Sequence, residues 1–166
     1  HCKPFRPRSV IEWRGKLMST ATNLQSLNDS TQGAGVSSSN RRQIETFLAS
    51  NAIAAGDLVC FDITKTADSD KCLFVTPSDT ASGNTIVCVG FALADASAGD
   101  KVDVTVAGLH ESANVDAATA AGDRLIASNV AGRAALFTGA ESLPVIAYAI
   151  EADTANFAGV IVIKQF

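Results

Sequence analysis

Few residues of this chain have the types and spacing to carry chemistry. His110, Glu111 and Ser112 stand together in GLHESAN, which by type supplies a base, an acid and a nucleophile. A hydrolytic triad needs three side chains that converge from separate elements beside an oxyanion site. Consecutive residues point in different directions, so His110 reads as a loop histidine. Asp57, Asp100 and Asp123 each follow Gly and precede an apolar run, and such acids could pair for acid–base work or ligate calcium. Local chemistry explains them more simply. Gly supplies the positive φ of a tight turn, and the Asp carboxylate accepts backbone N–H groups two residues on. Asp68, Asp70 and Asp79 read as solvated loop charge between strands.

The cysteines are Cys2, Cys60, Cys72 and Cys88. None forms a C-x-x-C pair, and only two histidines could complete a zinc set. Cys60, Cys72 and Cys88 lie in apolar strand-like runs and read as small buried hydrophobes of a reducing compartment. Phosphate-loop, dinucleotide, zincin, nucleophile-elbow and EF-hand signatures are missing from the sequence. The expectation is a protein that is not an enzyme and needs no cofactor or metal.

The elements that hold these residues read as β. Strand-like runs cover 57–64, 71–76, 85–94, 101–109, 124–127, 133–137, 143–151 and 159–164, separated by Gly, Asp, Asn and Ser clusters. Residues 43–50 (QIETFLAS) fit two templates. Ile44, Phe47 and Leu48 make a helical face with Asn40 as cap, and Ile44, Thr46 and Leu48 make a strand face. Val102, Val104 and Val106 alternate with Asp103 and Thr105, as in a half-buried strand. IVCVGFAL, PVIAYAI and GVIVI are apolar on both faces. Convincing amphipathic helices to cover them are missing from the sequence, so their second faces must meet another sheet layer or another subunit. Val87, Val89, Phe91, Val145, Tyr148, Val160 and Val162 are the expected self-association residues.

A faint duplication runs through this β region. The Ala-Gly-Asp ending at Asp57 returns at Asp123, 66 residues on, and VGFALADA at 89–96 returns as IAYAIEAD at 146–153, 57 residues on. Two copies of a hairpin-like unit suit a small barrel or two-sheet fold. The fold class is therefore all-β, a small β-barrel or sandwich body over 43–166 preceded by an extended arm over 1–42.

The chain has 166 residues, 47% of them hydrophobic and 18% charged. The charge is divided. Residues 1–42 carry a net +5 and residues 43–166 a net −9, which together give the −4 of the whole. Residues 1–17 differ in composition from the rest of the chain, and Met18 offers an alternative natural start. The arm is polar and Gly/Ser-containing, so it has no core of its own and needs a partner to order it. Arg6, Arg8, Trp13, Arg14, Lys16, Arg41 and Arg42 are its expected contact residues. They are too sparse for a nucleic-acid patch, so an acidic protein surface is the expected partner. Uncharged apolar runs reach only about ten residues, too short for a membrane-spanning helix of roughly 20.

In order and spacing, NAIAAGDLVCFDI, VGFALADASAGDKVDVTV, AATAAGDRLIAS and VIAYAIEAD resemble the bacteriophage head-decoration, or capsid cement, proteins. The resemblance covers about residues 43–166, and it departs from the family pattern at Ala147, where the family has Gly. It implies a β-rich body assembled in the host cytoplasm and bound to the outer capsid surface of the virion. It further implies self-association, as a trimer rather than a dimer, and contacts that bridge neighbouring major capsid proteins. The alternative is a head-fibre or tail-associated module that recognises host surface glycan.

Overall fold

The computed structural model describes residues 42–79 and 87–165. Nine strands are found among them: β1 Arg42–Ala49, β2 Leu58–Phe61, β3 Phe74–Pro77, β4 Cys88–Ala92, β5 Lys101–Asn114, β6 Arg124–Ala127, β7 Ala134–Leu136, β8 Ala147–Ala149 and β9 Phe157–Val162. No helix occurs among the described residues. Of residues 43–50, all but Ser50 thus resolve as strand. Their inward face is Phe47 and Ala49, whereas Ile44, the first residue of the expected strand face, is 41% exposed. Alternation identifies two faces but does not say which one turns inward.

The strands form one continuous ladder in the order β1-β3-β2-β4-β5-β9-β8-β6-β7, and β1 also pairs with β5. That extra pairing closes β1-β3-β2-β4-β5 into a five-stranded barrel, so these strands leave no open edge between them. The closing seam is long, running antiparallel from Arg42↔Gly108 to Leu48↔Lys101.

The expected duplication is present in the strand order. β3-β2-β4-β5 in the first half matches β7-β6-β8-β9 in the second. The local hydrogen bonds repeat too. Gly56 N–H donates to Ala92 O at 2.8 Å, and Gly122 N–H donates to Ala149 O at 2.8 Å. Ala92 N–H reaches Asp57 O and Ala149 N–H reaches Asp123 O, both at 2.9 Å. The first repeat pairs β1 in parallel with β3 through Ala49↔Val75. In the second, Val115, the residue just after β5, makes a parallel bridge to Ala134 of β7. The carboxyl half of β5 therefore serves the second repeat as β1 serves the first.

Two cores result. Phe47, Val59, Val75, Val89, Val102, Val104 and Val106 fill the first barrel. Leu125, Ala127, Ala147, Ala149, Val160 and Val162 form the second core, together with Leu58, Cys60, Cys88 and Phe91. Successive residues of β2 and β4 alternate between the two cores, because strand side chains alternate faces. This explains why LVCF and CVGFA carry no polar side: the pair is a wall shared by two interiors. Burying each large side chain, such as Leu58, Phe91 or Leu125 at 0% exposure, contributes roughly 1.5–3 kcal/mol.

The close approach at Gly90 is required by this wall. A Cβ there would overlap the carbonyl oxygen of Thr105 on β5, so the β4–β5 contact needs a residue with no side chain.

Candidate functional site

The Ala-Gly-Asp turns share one geometry. In each, the N–H of the Asp donates to the carbonyl three residues earlier: Asp57 to Ala54 at 3.1 Å, Asp100 to Ser97 at 3.0 Å and Asp123 to Ala120 at 3.1 Å. In each, the carboxylate also accepts the N–H of that same earlier residue, at 2.9 Å for Ala54, 3.2 Å for Ser97 and 2.7 Å for Ala120. Gly56, Gly99 and Gly122 hold φ of 85°, 88° and 93°, the third-position conformation of a type II turn. The carboxylate thus reaches back three residues, where two residues forward was expected, because the turn folds its own start over the Asp. A fourth copy, Val130–Arg133, keeps the turn with Gly132 at φ 74° and has Arg where the others have Asp. No cluster of three or more metal-ligating side chains is found among the described residues.

Other acids of the body have similar work. Asp62 accepts from Ser50 Oγ at 2.6 Å and from Thr64 N at 3.0 Å. Burial pushes its carboxyl up, but the hydrogen bonds from Ser50 and Thr64 and the charge of Lys65 outweigh that and hold it below the ordinary value. Glu141 accepts from the Thr138 hydroxyl and from the N–H groups of Thr138 and Gly139, and the Thr138 contact leads in lowering its pKa. Of the loop acids, Asp68 pairs with Lys71 Nζ at 2.6 Å, with its side chain exposed.

His110 is in a strand and not in a loop. It lies inside β5, only 3% exposed, with Nδ1 3.1 Å from Thr105 Oγ1 and its ring 5.5 Å from that of Phe91. A bulge between His110 and Ala113 in the β5–β9 register turns Glu111 and Ser112 outward. The three groups diverge, as a triad cannot. Burial, and next the neighbouring Arg42 charge among the lowering causes, bring the His110 pKa down to about 4, while the Ser112 backbone and Glu111 oppose the shift. His110, Arg42, Gly56, Ala92 and Ser112 border an open cleft of about 160 Å³. Arg42 Nε is buried there without a hydrogen-bond partner.

Of the expected arm residues, Arg42 belongs to the body, because it opens β1 opposite Gly108. Arg6, Arg8, Trp13, Arg14, Lys16 and Arg41 lie outside the described residues. The expected self-association residues divide. Val89, Phe91, Val160 and Val162 are 0–4% exposed, and this corrects the expectation for them: Val89 faces the interior of the first barrel, and Phe91, Val160 and Val162 meet in the core shared by the two halves of the chain. Val145 is half-buried, while Val87 and Tyr148 are 42% and 43% exposed.

Tyr148 belongs to an outward apolar row that the sequence pattern revealed only in part. It pairs with Ile161, which pairs on its other side with Leu109. Ile161 is 40% exposed and Ile150, two residues beyond Tyr148, is 49% exposed. Apolar residues at alternate outward positions of β8 and β9 were the available signal, hidden because the inward positions are apolar as well.

Among cysteines, Cys60 and Cys88 are buried as expected, whereas Cys72 is exposed and holds φ 60° in the turn before β3. Its run reads as strand by composition, but the chain reaches β3 only at Phe74.

No protein-family model and no curated protein matches the chain. A solved structure does: the head fiber gp8.5 N base of bacteriophage phi29 is 19% identical, with a TM-score of 0.50, over 74% of this chain and 94% of that one. At that identity the likeness is one of fold. Nearly the whole of that fibre base corresponds to the β architecture of this chain.

Proposed function

We propose that the chain is a structural protein of a bacteriophage head, bound at the outer capsid surface, where it cements neighbouring major capsid proteins. The observation that carries this reading is the correspondence of fold with a phage head-fibre base over 94% of that chain. The order of Gly-Asp turns and strands, which resembles head-decoration proteins, supports it independently. The role is mechanical and not catalytic. In the described body the turn acids accept backbone N–H groups and His110 is packed inside β5.

In this proposal the body self-associates through the row of Leu109, Ile161 and Tyr148. The arm lies over adjacent shell subunits, with Arg6, Arg8, Arg14 and Arg41 pairing with shell carboxylates. The planar guanidinium suits such multi-donor contacts. Joining several arms in one oligomer, a trimer in this reading, turns weak single contacts into tight attachment.

A second reading, favoured by the same structural likeness, makes the body the base of a head fibre. Heads of the parent phage prepared without this chain separate the two. Cementing predicts occupancy at all equivalent lattice positions and a raised head disruption temperature. A fibre base predicts occupancy with an unchanged disruption temperature. Absence of binding to heads would overturn both. A chain beginning at Arg42 should lose most of its occupancy, and full occupancy by it would sink the role given to the arm.

A further inference from the structure

Cys60 of β2 and Cys88 of β4 are register partners, and their Sγ atoms lie 2.7 Å apart. Phe61 N–H donates to Val87 O at 3.0 Å. That bond joins the residue after Cys60 to the residue before Cys88, so just past the register shift between Val59 and Cys60 the two cysteines face each other at a non-hydrogen-bonded position of the antiparallel ladder. Cα atoms at such positions are about 4.5 Å apart, with their side chains at closest approach. The separation falls within the roughly 4.4–6.8 Å that a disulfide spans. Both side chains point into the core formed with the second repeat, at 0% and 2% exposure.

We propose that Cys60 and Cys88 are an oxidative modification site that closes to a cross-strand disulfide, fastening β2 to β4 in the wall between the two cores. The inference rests on strand geometry and stands whether or not the head-protein reading holds. The reactant is a small disulfide such as glutathione disulfide. One thiolate attacks it, releasing one glutathione thiol and leaving a mixed disulfide on the protein. The second thiolate displaces the other glutathione thiol and forms the intramolecular bond. The two cysteines lose two electrons and two protons, and the reagent's S–S bond is reduced to two thiols.

In the closed fold the contact with Cys88, followed by burial, pushes the Cys60 thiol up. Thiolate is therefore scarce, and oxidation proceeds through transient opening or during folding. Exposed Cys72 serves as an internal comparison for simple accessibility.

The test uses the full chain, treated with glutathione disulfide in buffer and in mild denaturant, then unfolded, alkylated and mapped by peptide mass spectrometry. The expected product is a Cys60–Cys88 peptide pair that forms faster in denaturant. After removal of denaturant, the melting temperature should be higher by on the order of 10 °C for this 28-residue separation. Reductant should reverse both changes. Cys72→Ser should leave both unchanged, and a Cys60→Ala/Cys88→Ala double variant should show neither. Quantitative alkylation of Cys60 and Cys88 after oxidation in both conditions would overturn the proposal, as would their linkage only to other cysteines. Alkylation is read on unfolded chain, so the result does not depend on how well a variant folds.

Discussion

Asn114 Nδ2 donates to Asp57 Oδ1 at 3.1 Å, across 57 residues of sequence. Asp57 closes the turn that launches β2, and Asn114 is the last residue of β5. Beside them Asn114 N–H donates to Gly56 O at 2.8 Å, and Leu58 N–H donates to Gly132 O at 2.7 Å. The first turn is thereby tied to β5 and to the β6–β7 turn, which belongs to the second repeat. The Asp100 turn is tied to β1 through backbone groups, with Gly99 N–H donating to Ala49 O at 2.7 Å and Ala49 N–H to Asp100 O at 2.9 Å, while the Asp100 carboxylate accepts the Ser97 N–H of its own turn. Asp57→Ala is therefore expected to cost more stability than Asp100→Ala. It should lose about 2–3 kcal/mol against about 1 kcal/mol, measured by urea unfolding. Equal losses would show that the Asn114 contact contributes nothing.

The wall between the cores has no room at Gly90. Gly90→Ala should lower stability by at least about 3 kcal/mol, because a Cβ meets backbone that cannot yield. Gly99→Ala is the comparison. Its position is open around the Cβ, and only the φ of 88° opposes the change, at about 1–2 kcal/mol. Thermal melts of the two variants check the order.

Stability should fall in two stages on acidification. His110 titrates near pH 4 in the folded chain and near its ordinary value of about 6.5 when unfolded. Between these values the unfolded chain binds the proton first. The stabilisation is thus complete above about pH 6.5 and is lost progressively toward pH 4, by on the order of 3 kcal/mol. His110→Gln should flatten that stage. Asp62, held below the ordinary carboxylate value, acts lower. Its contribution is present above the ordinary value and disappears as the pH falls through its folded pKa. Melting temperature against pH for both proteins checks the assignment.

If the outward row carries self-association, Tyr148→Glu and Ile161→Glu should each shift the protein toward monomer in analytical ultracentrifugation. Both residues are 40% exposed or more, so the melting temperature of the monomer should move by less than a few degrees. An unchanged oligomer would exclude this face.

Much of the architecture was legible in residue patterns. Arg124–Ala127 is a strand as read, and the 66-residue and 57-residue spacings reappear as a repeated strand order. Apolarity on both faces correctly announced a second layer. It could not say whose layer, because the covering strands lie far away in sequence. The reading of GLHESAN as loop failed for a local reason. Gly108, the polar run His110–Ser112 and the bulge break the alternation while β5 runs on to Asn114. The inward face of β1 was missed because Ala49, small enough for a barrel interior, gave no apolar contrast with Ile44 and Leu48. The candidate surface was least legible. Tyr148, Ile150 and Ile161 differ from their buried neighbours in direction and not in type.

The seam between β1 and β5 bears on how the chain is made. A ribosome delivers Arg42–Ala49 well before Lys101–Gly108, its longest antiparallel partner. During that interval most of β1 lacks its antiparallel partner, having only the parallel pairing to β3 at Leu48 and Ala49, and the first barrel cannot shut until the chain has been made through Gly108. Late closure between distant segments is slow, commonly milliseconds to seconds, and it leaves an edge open to neighbouring nascent chains. The same β5 that completes the first barrel also supplies the opening strand of the second repeat, so its emergence starts both halves toward their final form.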